Sequence, residues 1–171
     1  MASLVVTVVG EDRPGLVGQI SDVVRRHSGN WLESRMSHLG DQFAGIILVE
    51  VDDENLKALR DELAHLEDDG LLVAIKGTGT DSSQGAEGRV YSLSVVGNDR
   101  PGIVREVTQV LASHKVNVEE LNTNCGPAPH TGGSVFRAEA TVRVPSDLSV
   151  DTLQQELEQL AADLMIDLNA G

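Results

Sequence analysis

Val9-Gly10-Glu11-Asp12-Arg13-Pro14-Gly15-Leu16-Val17 recurs 87 residues later as Val96-Gly97-Asn98-Asp99-Arg100-Pro101-Gly102-Ile103-Val104. The offset holds without a gap across residues 4 to 33, where 12 of 30 positions are identical. Solenoid repeats have periods of about 20–50 residues. A longer period is the size of a small domain, so the chain reads as two copies of one domain.

Each copy reads as strand, turn and helix. Leu4 to Val9 and Tyr91 to Val96 precede the motif, and Tyr91, Leu93 and Val95 alternate with Ser92 and Ser94. That alternation is the period of a half-buried strand. Gly10 and Gly97 suit a turn after the strand, since glycine has no Cβ to clash. Pro14 and Pro101 suit the first helical position, and Asp12 and Asp99 suit a cap or turn. Leu16, Val17, Ile20, Val23 and Val24 then fall on one helical stripe, as do their counterparts from Ile103 to Leu111. Such a loop aims free backbone N–H groups at the space above the strand end, where a carboxylate or phosphate is attracted. Gly15 and Gly102 would let a ligand approach the backbone closely. A compact Pro-Gly turn without a ligand is the alternative.

The rest of each copy follows the same order. A first helix ending near Ser28-Gly29-Asn30 is followed by strands Trp31–Leu39 and Phe43–Val51, joined by Gly40-Asp41-Gln42. A helix to about Asp69 carries Leu56, Leu59, Leu63 and Leu66 on one face, and Leu71 to Lys76 is the last strand. The second half repeats this with strand Tyr91–Val96, helix Pro101–His114, strands Asn117–Asn124 and Val135–Val144, helix Ser149–Asp163 and strand Leu164–Leu168. Asn30 and Asn117 coincide at the 87-residue offset. The second half departs at Cys125 to Ser134, a longer loop between its second and third strands. The domains are expected at residues 1–77 and 90–171, with a Gly/Ser/Thr-rich linker at 78–89.

Composition narrows function. Net charge is −14, and each half carries −7. Affinity for nucleic acid comes largely from Lys and Arg neutralising phosphates, so direct DNA or RNA contact is not expected. Aromatic residues make up 2% of the chain, so the core must be aliphatic. No apolar run approaches the roughly 20 residues that span a membrane, and no signal peptide is visible. The one cysteine, Cys125, excludes an intrachain disulfide. A cytoplasmic location is expected.

The order strand-helix-strand-strand-helix-strand is the ferredoxin-like arrangement, an α+β fold. With Asp-Arg-Pro-Gly at the first turn and Asn at the second strand, each half resembles an ACT domain. Two filling a short chain resemble the glycine cleavage system transcriptional repressor family. The resemblance implies amino-acid sensing, with a ligand such as glycine near the first turn, at an interface between domains. The matching positions are Asp12, Arg13, Pro14, Gly15 and Asn30, then Asp99, Arg100, Pro101, Gly102 and Asn117. Helix N–H groups can hold an α-carboxylate, Asp can pair with an ammonium, and Arg can fork onto a carboxylate. Asp12 and Arg13 pairing only locally is the alternative. The resemblance also implies action through a protein partner, such as a DNA-binding regulator, and is compatible with a homodimer.

No catalytic residue, cofactor or metal is expected: there is no Gly-x-Ser-x-Gly, His-Glu-x-x-His or P-loop. His27 and His114 recur near helix C-termini, where a cation favours the dipole and caps carbonyls. Gly18 is replaced by Arg105, which is expected to occupy or narrow the second site and so to favour the first if only one binds. A scaffold that only mediates assembly is the alternative to a sensor.

Overall fold

A computed structural model describes residues 1–78, 87–130 and 132–171. The chain divides into two compact units, Met1–Gln84 and Gly85–Gly171. Most of the expected 78–89 linker lies outside the described residues.

The first unit contains β1 (Ala2–Glu11), α1 (Leu16–Arg26), β2 (Asn30–Leu39), β3 (Gln42–Val51), α2 (Asp53–His65) and β4 (Leu71–Thr78). The second contains β5 (Arg89–Asn98), α3 (Ile103–Ser113), β6 (Asn117–Pro127), β7 (Ser134–Val144), α4 (Val150–Leu160) and β8 (Leu164–Ala170). Each is βαββαβ. The sheets run β2-β3-β1-β4 and β6-β7-β5-β8, and every neighbour is antiparallel. The helices lie on one face of each sheet. In the first, Leu4, Val6 and Val8 of β1 pack with Ile20 of α1 and Leu59 and Leu63 of α2. These aliphatic side chains carry the core, each contributing about 1.5–3 kcal/mol on full burial.

Several local expectations are corrected. Gly10 and Gly97 lie inside strands, not turns: Gly10 pairs with Phe43 and Leu71, and Gly97 with Phe136 and Leu164. A Cβ at Gly10 would stand 2.7 Å from Leu71 Cδ2, and one at Gly97 would stand 2.3 Å from Leu164 Cδ2. Glycine is there because the last strand starts against it. Pro14 and Pro101 sit in a turn, and the helices begin at Leu16 and Ile103. Between proline and helix, Gly15 and Gly102 each take φ 92° in the left-handed region. The glycine therefore serves the backbone angle. Open space surrounds the position of a Cβ at Gly15.

The second helix of the first unit stops at His65, and Leu66–Asp69 forms a 3-10 turn. The helix Val150–Leu160 is shorter than the expected Ser149–Asp163. Cys125 lies within β6 rather than in a loop, because β6 and β7 pair down to Pro127 and Ser134. The chain turns after α1 and α3 through Ser28 and Lys115, with φ 55° and 57°. The Gly29 and Val116 N–H groups then donate to the carbonyls of Val24 and Leu111, a Schellman-like end.

Candidate functional site

The first-turn loop of each unit stands at one end of its sheet. In the first, Asp12 follows β1 directly, and its N–H donates to the Asp41 carbonyl at 3.0 Å. Its carboxylate lies 2.5 Å from His38 Nδ1 near the end of β2. Arg13 turns the other way. Its guanidinium donates to Gln19 Oε1 at 3.2 Å and to the Asp69 carbonyl at 3.1 Å. Arg13 thus bridges α1 and the 3-10 turn without touching a carboxylate in these bonds. At this end the first free N–H groups of α1 point outward, and no side chain caps them.

The second unit keeps the plan and changes the charges. Asp99 donates its N–H to the Ser134 carbonyl at 2.9 Å. Its carboxylate meets Cys125, the counterpart of His38 at the 87-residue offset. Desolvation, with the Asp99 charge and hydrogen bond behind it, pushes the Cys125 thiol up. Arg100 is enclosed by two acids. It donates to Glu106 at 2.9 and 2.7 Å and to Asp163 at 2.7 and 3.1 Å. Both carboxyls are held below the usual carboxylate range, chiefly by the hydrogen bonds from Arg100. Gln19 against Glu106 is therefore the substitution that separates the two loops, and it is this ion cluster that occupies the second one. Arg105, expected to narrow it, is exposed on α3.

The expected site residues divide into two places. Asp12, Arg13, Pro14 and Gly15 lie together, as do Asp99, Arg100, Pro101 and Gly102. Asn30 opens β2 beside Glu50, and Asn117 opens β6 beside Arg143. Those positions are at the far end of each sheet, nine residues from Leu39 in the first unit. At about 3.3 Å per residue, Asn30 is about 30 Å from the loop of its own unit. One amino acid cannot touch both sets within a unit.

The recurring histidines serve packing between helices. His27 Nε2 pairs with Glu62 on α2, which also accepts from Arg26 at 2.6 Å, and His114 Nε2 lies 2.6 Å from Glu156 on α4. The expectation that their rings cap helix carbonyls is replaced by this contact with the second helix. An apolar cavity of about 20 Å³ under α3, lined in part by Val107, Leu111, Val118 and Ala140, has room for about one water and none for an amino acid. Among the described residues, no group of three His, Cys, Asp or Glu side chains could hold a metal ion. No helix there is long and apolar enough to cross a membrane.

Comparison with known proteins matches ACT-domain models at residues 2–76 and 91–162. The glycine cleavage system transcriptional repressor of Escherichia coli (strain K12) is 26% identical over 165 residues, covering 94% of this chain and 85% of its own length. A crystal structure of a protein from Galdieria sulphuraria is 33% identical, covers 99% of this chain and 98% of its own, and superposes with a TM-score of 0.83. A further solved structure, 24% identical across 98% of this chain and 96% of its own, shares the fold with a TM-score of 0.70.

Proposed function

Because the chain belongs to the ACT-domain family, with two ACT domains in tandem, we propose that it is an amino-acid-sensing regulator. In this reading it controls transcription of a glycine cleavage-type system through a protein partner, such as a DNA-binding regulator, without touching DNA itself. The observation that carries the proposal is similarity to the repressor over 94% of this chain, along which both ACT-domain matches lie. The charge of −14 supports indirect action, since an acidic surface repels phosphates.

The ligand is a small amino acid, glycine or similar, held at the first-turn loops. An α-carboxylate would take the N–H groups at the start of α1 and the Arg13 guanidinium. The first unit is the better receptor. Its arginine makes neutral hydrogen bonds to Gln19 and to a backbone carbonyl, whereas Arg100 is already neutralised by Glu106 and Asp163. Asn30 and Asn117 would contribute only to a ligand brought against the opposite end of a sheet by another ACT unit.

A thermal-shift screen over the twenty amino acids tests this reading. A ligand that binds only the folded state raises the melting temperature, by mass action. The rival reading is an assembly scaffold. The internal pairing of Asp12 with His38 and of Arg13 with Asp69 favours it, since the loop is held without a ligand. A scaffold would show no shift with any amino acid.

A further inference from the structure

The two sheets differ on the face turned away from their helices. In the first unit one row across that face reads Glu33, Leu48, Val5 and Lys76. The next reads Arg35, Ile46, Thr7 and Ala74, and the third Ser37, Ala44, Val9 and Leu72. The centre is mainly aliphatic, and the charges Glu33, Arg35 and Lys76 stand on the two edge strands. Ile46 is 54% exposed and Leu72 is 68% exposed. The corresponding face of the second unit carries Arg137, Glu139 and Thr141 on β7 and Ser92 and Ser94 on β5, with Ser94 donating to Glu139 at 2.9 Å. Duplication gave both faces the same backbone, but the second is mostly polar, with Val96 and Met165 its apolar residues in the Arg137 row. A contiguous exposed apolar patch with a polar rim marks an interaction surface.

The charges on this face point to its occupant. The chain carries −14, which repels a second copy at most places on its surface. Here Glu33 and Glu50 are balanced by Arg35 and Lys76; Glu33 lies 3.8 Å from Arg35 of its own strand, both side chains well exposed, so this weak pair leaves Glu33 open to a further cation. Within one sheet Glu33 and Lys76 lie on opposite edges, three strand spacings or about 14 Å apart. A two-fold axis parallel to the strands, between β3 and β1, lays β2 of one copy over β4 of the other and keeps each row at its own height. Glu33 then faces Lys76 twice by symmetry, and Leu48 faces Val5. Sheets packed face to face keep strand directions within about 30°, which preserves this matching near the axis.

We propose that the outer face of the β2-β3-β1-β4 sheet is a self-association surface on which a second copy of this chain docks face to face. Four strands at about 4.8 Å and seven residues at about 3.3 Å give a face of about 19 by 23 Å. That is small for an obligate interface, so the dimer is reversible. The surface does not depend on the amino-acid reading of the first-turn loops.

The test is sedimentation of the full chain from about 10 µM to about 1 mM, a range that brackets weak association. The weight-average mass should rise toward twice the chain mass. Ile46→Lys should raise the dimer dissociation constant at least about tenfold, as for a central interface residue. Glu33→Lys should also weaken the dimer, and Glu33→Lys with Lys76→Glu should restore it. These side chains are exposed, so circular dichroism should show an unchanged fold. A wild-type chain that stays monomeric throughout overturns the proposal, even if another protein binds the face. So does a dimer indifferent to Ile46→Lys, or a charge swap that fails to restore association.

Discussion

Arg100 holds Asp163 with two hydrogen bonds, Nε to Oδ2 at 2.7 Å and a terminal nitrogen to Oδ1 at 3.1 Å. The bonds tie the first-turn loop of the second unit to the start of β8. Because Arg100 depresses both Asp163 and Glu106, the cluster stabilises the fold above the unfolded carboxylate values. That contribution is lost as pH falls through the lower folded values. Arg100→Gln should therefore lower the melting temperature at pH 7, and the gap from wild type should close as pH falls below about 4. Thermal melts of both proteins from about pH 2.5 to about pH 7, a range that runs from below to well above the ordinary carboxylate values, check the sign.

Gly15 and Gly102 should be intolerant for a backbone reason. Both have φ 92°, where a Cβ costs about 1–2 kcal/mol. Gly15→Ala should lose about that much in urea unfolding, and Gly15→Val somewhat more, since β-branching is worse in the left-handed region. Gly15→Asn should lose less, because Asn tolerates the conformation. Equal losses for Ala and Asn would show that space, not φ, selects glycine. Since the valine variant strains the fold, it cannot serve as a clean block of a ligand.

Gly10 and Gly97 are constrained by contact instead. Gly10→Ala would drive a methyl against Leu71 and the Gly70 carbonyl, the latter at 3.0 Å. The expected loss is about 1–3 kcal/mol from overpacking, with Gly97→Ala in the same range. Leu71→Ala in the Gly10→Ala background should recover part of the Gly10 contact penalty, visible as negative coupling in a double-mutant cycle. Additive losses would place the strain elsewhere.

The 87-residue repeat and the aliphatic periodicity made the βαββαβ order of both units legible. Those signals follow from which residues must be buried, and burial dominates the fold. The loop details were not legible, because they depend on neighbours distant in sequence. Gly10 looks like a turn residue until Leu71 is seen against it. His27 looks like a cap until Glu62, 35 residues away, is seen beside its ring. The Asn positions were joined to the first-turn site by the ACT resemblance and not by the residues themselves; within one unit α1 carries the chain back along the sheet and sets Asn30 at its far end. One signal was available: at the repeat offset Gln19 stands against Glu106 and His38 against Cys125, changes at the positions that meet the loop arginine and the loop aspartate.

The boundary between units is proposed at residues 78–89. Limited proteolysis should cut there first and leave two resistant fragments, since stretches of Gly/Ser/Thr-rich composition between domains are preferred cleavage sites. A first cut within Phe43–Val51, the central part of β3, would contradict it.

If Arg13 reads a carboxylate, supplying it with an internal one should compete. Gln19→Glu copies the Arg100–Glu106 pairing into the first unit. It should weaken amino-acid binding about tenfold, equivalent to about 1.4 kcal/mol. Glu62→Gln, on α2 and away from the loop, is the control and should leave affinity unchanged.

Whether the first-turn loop of the first unit binds an amino acid is read by calorimetry of the wild-type chain with each of the twenty amino acids. Saturable heat is expected with one or a few small amino acids, one site per chain, lost in Arg13→Ala and retained in Arg100→Ala. No heat with any of the twenty at millimolar concentration, or binding that survives Arg13→Ala, would rule out an amino-acid site on Arg13.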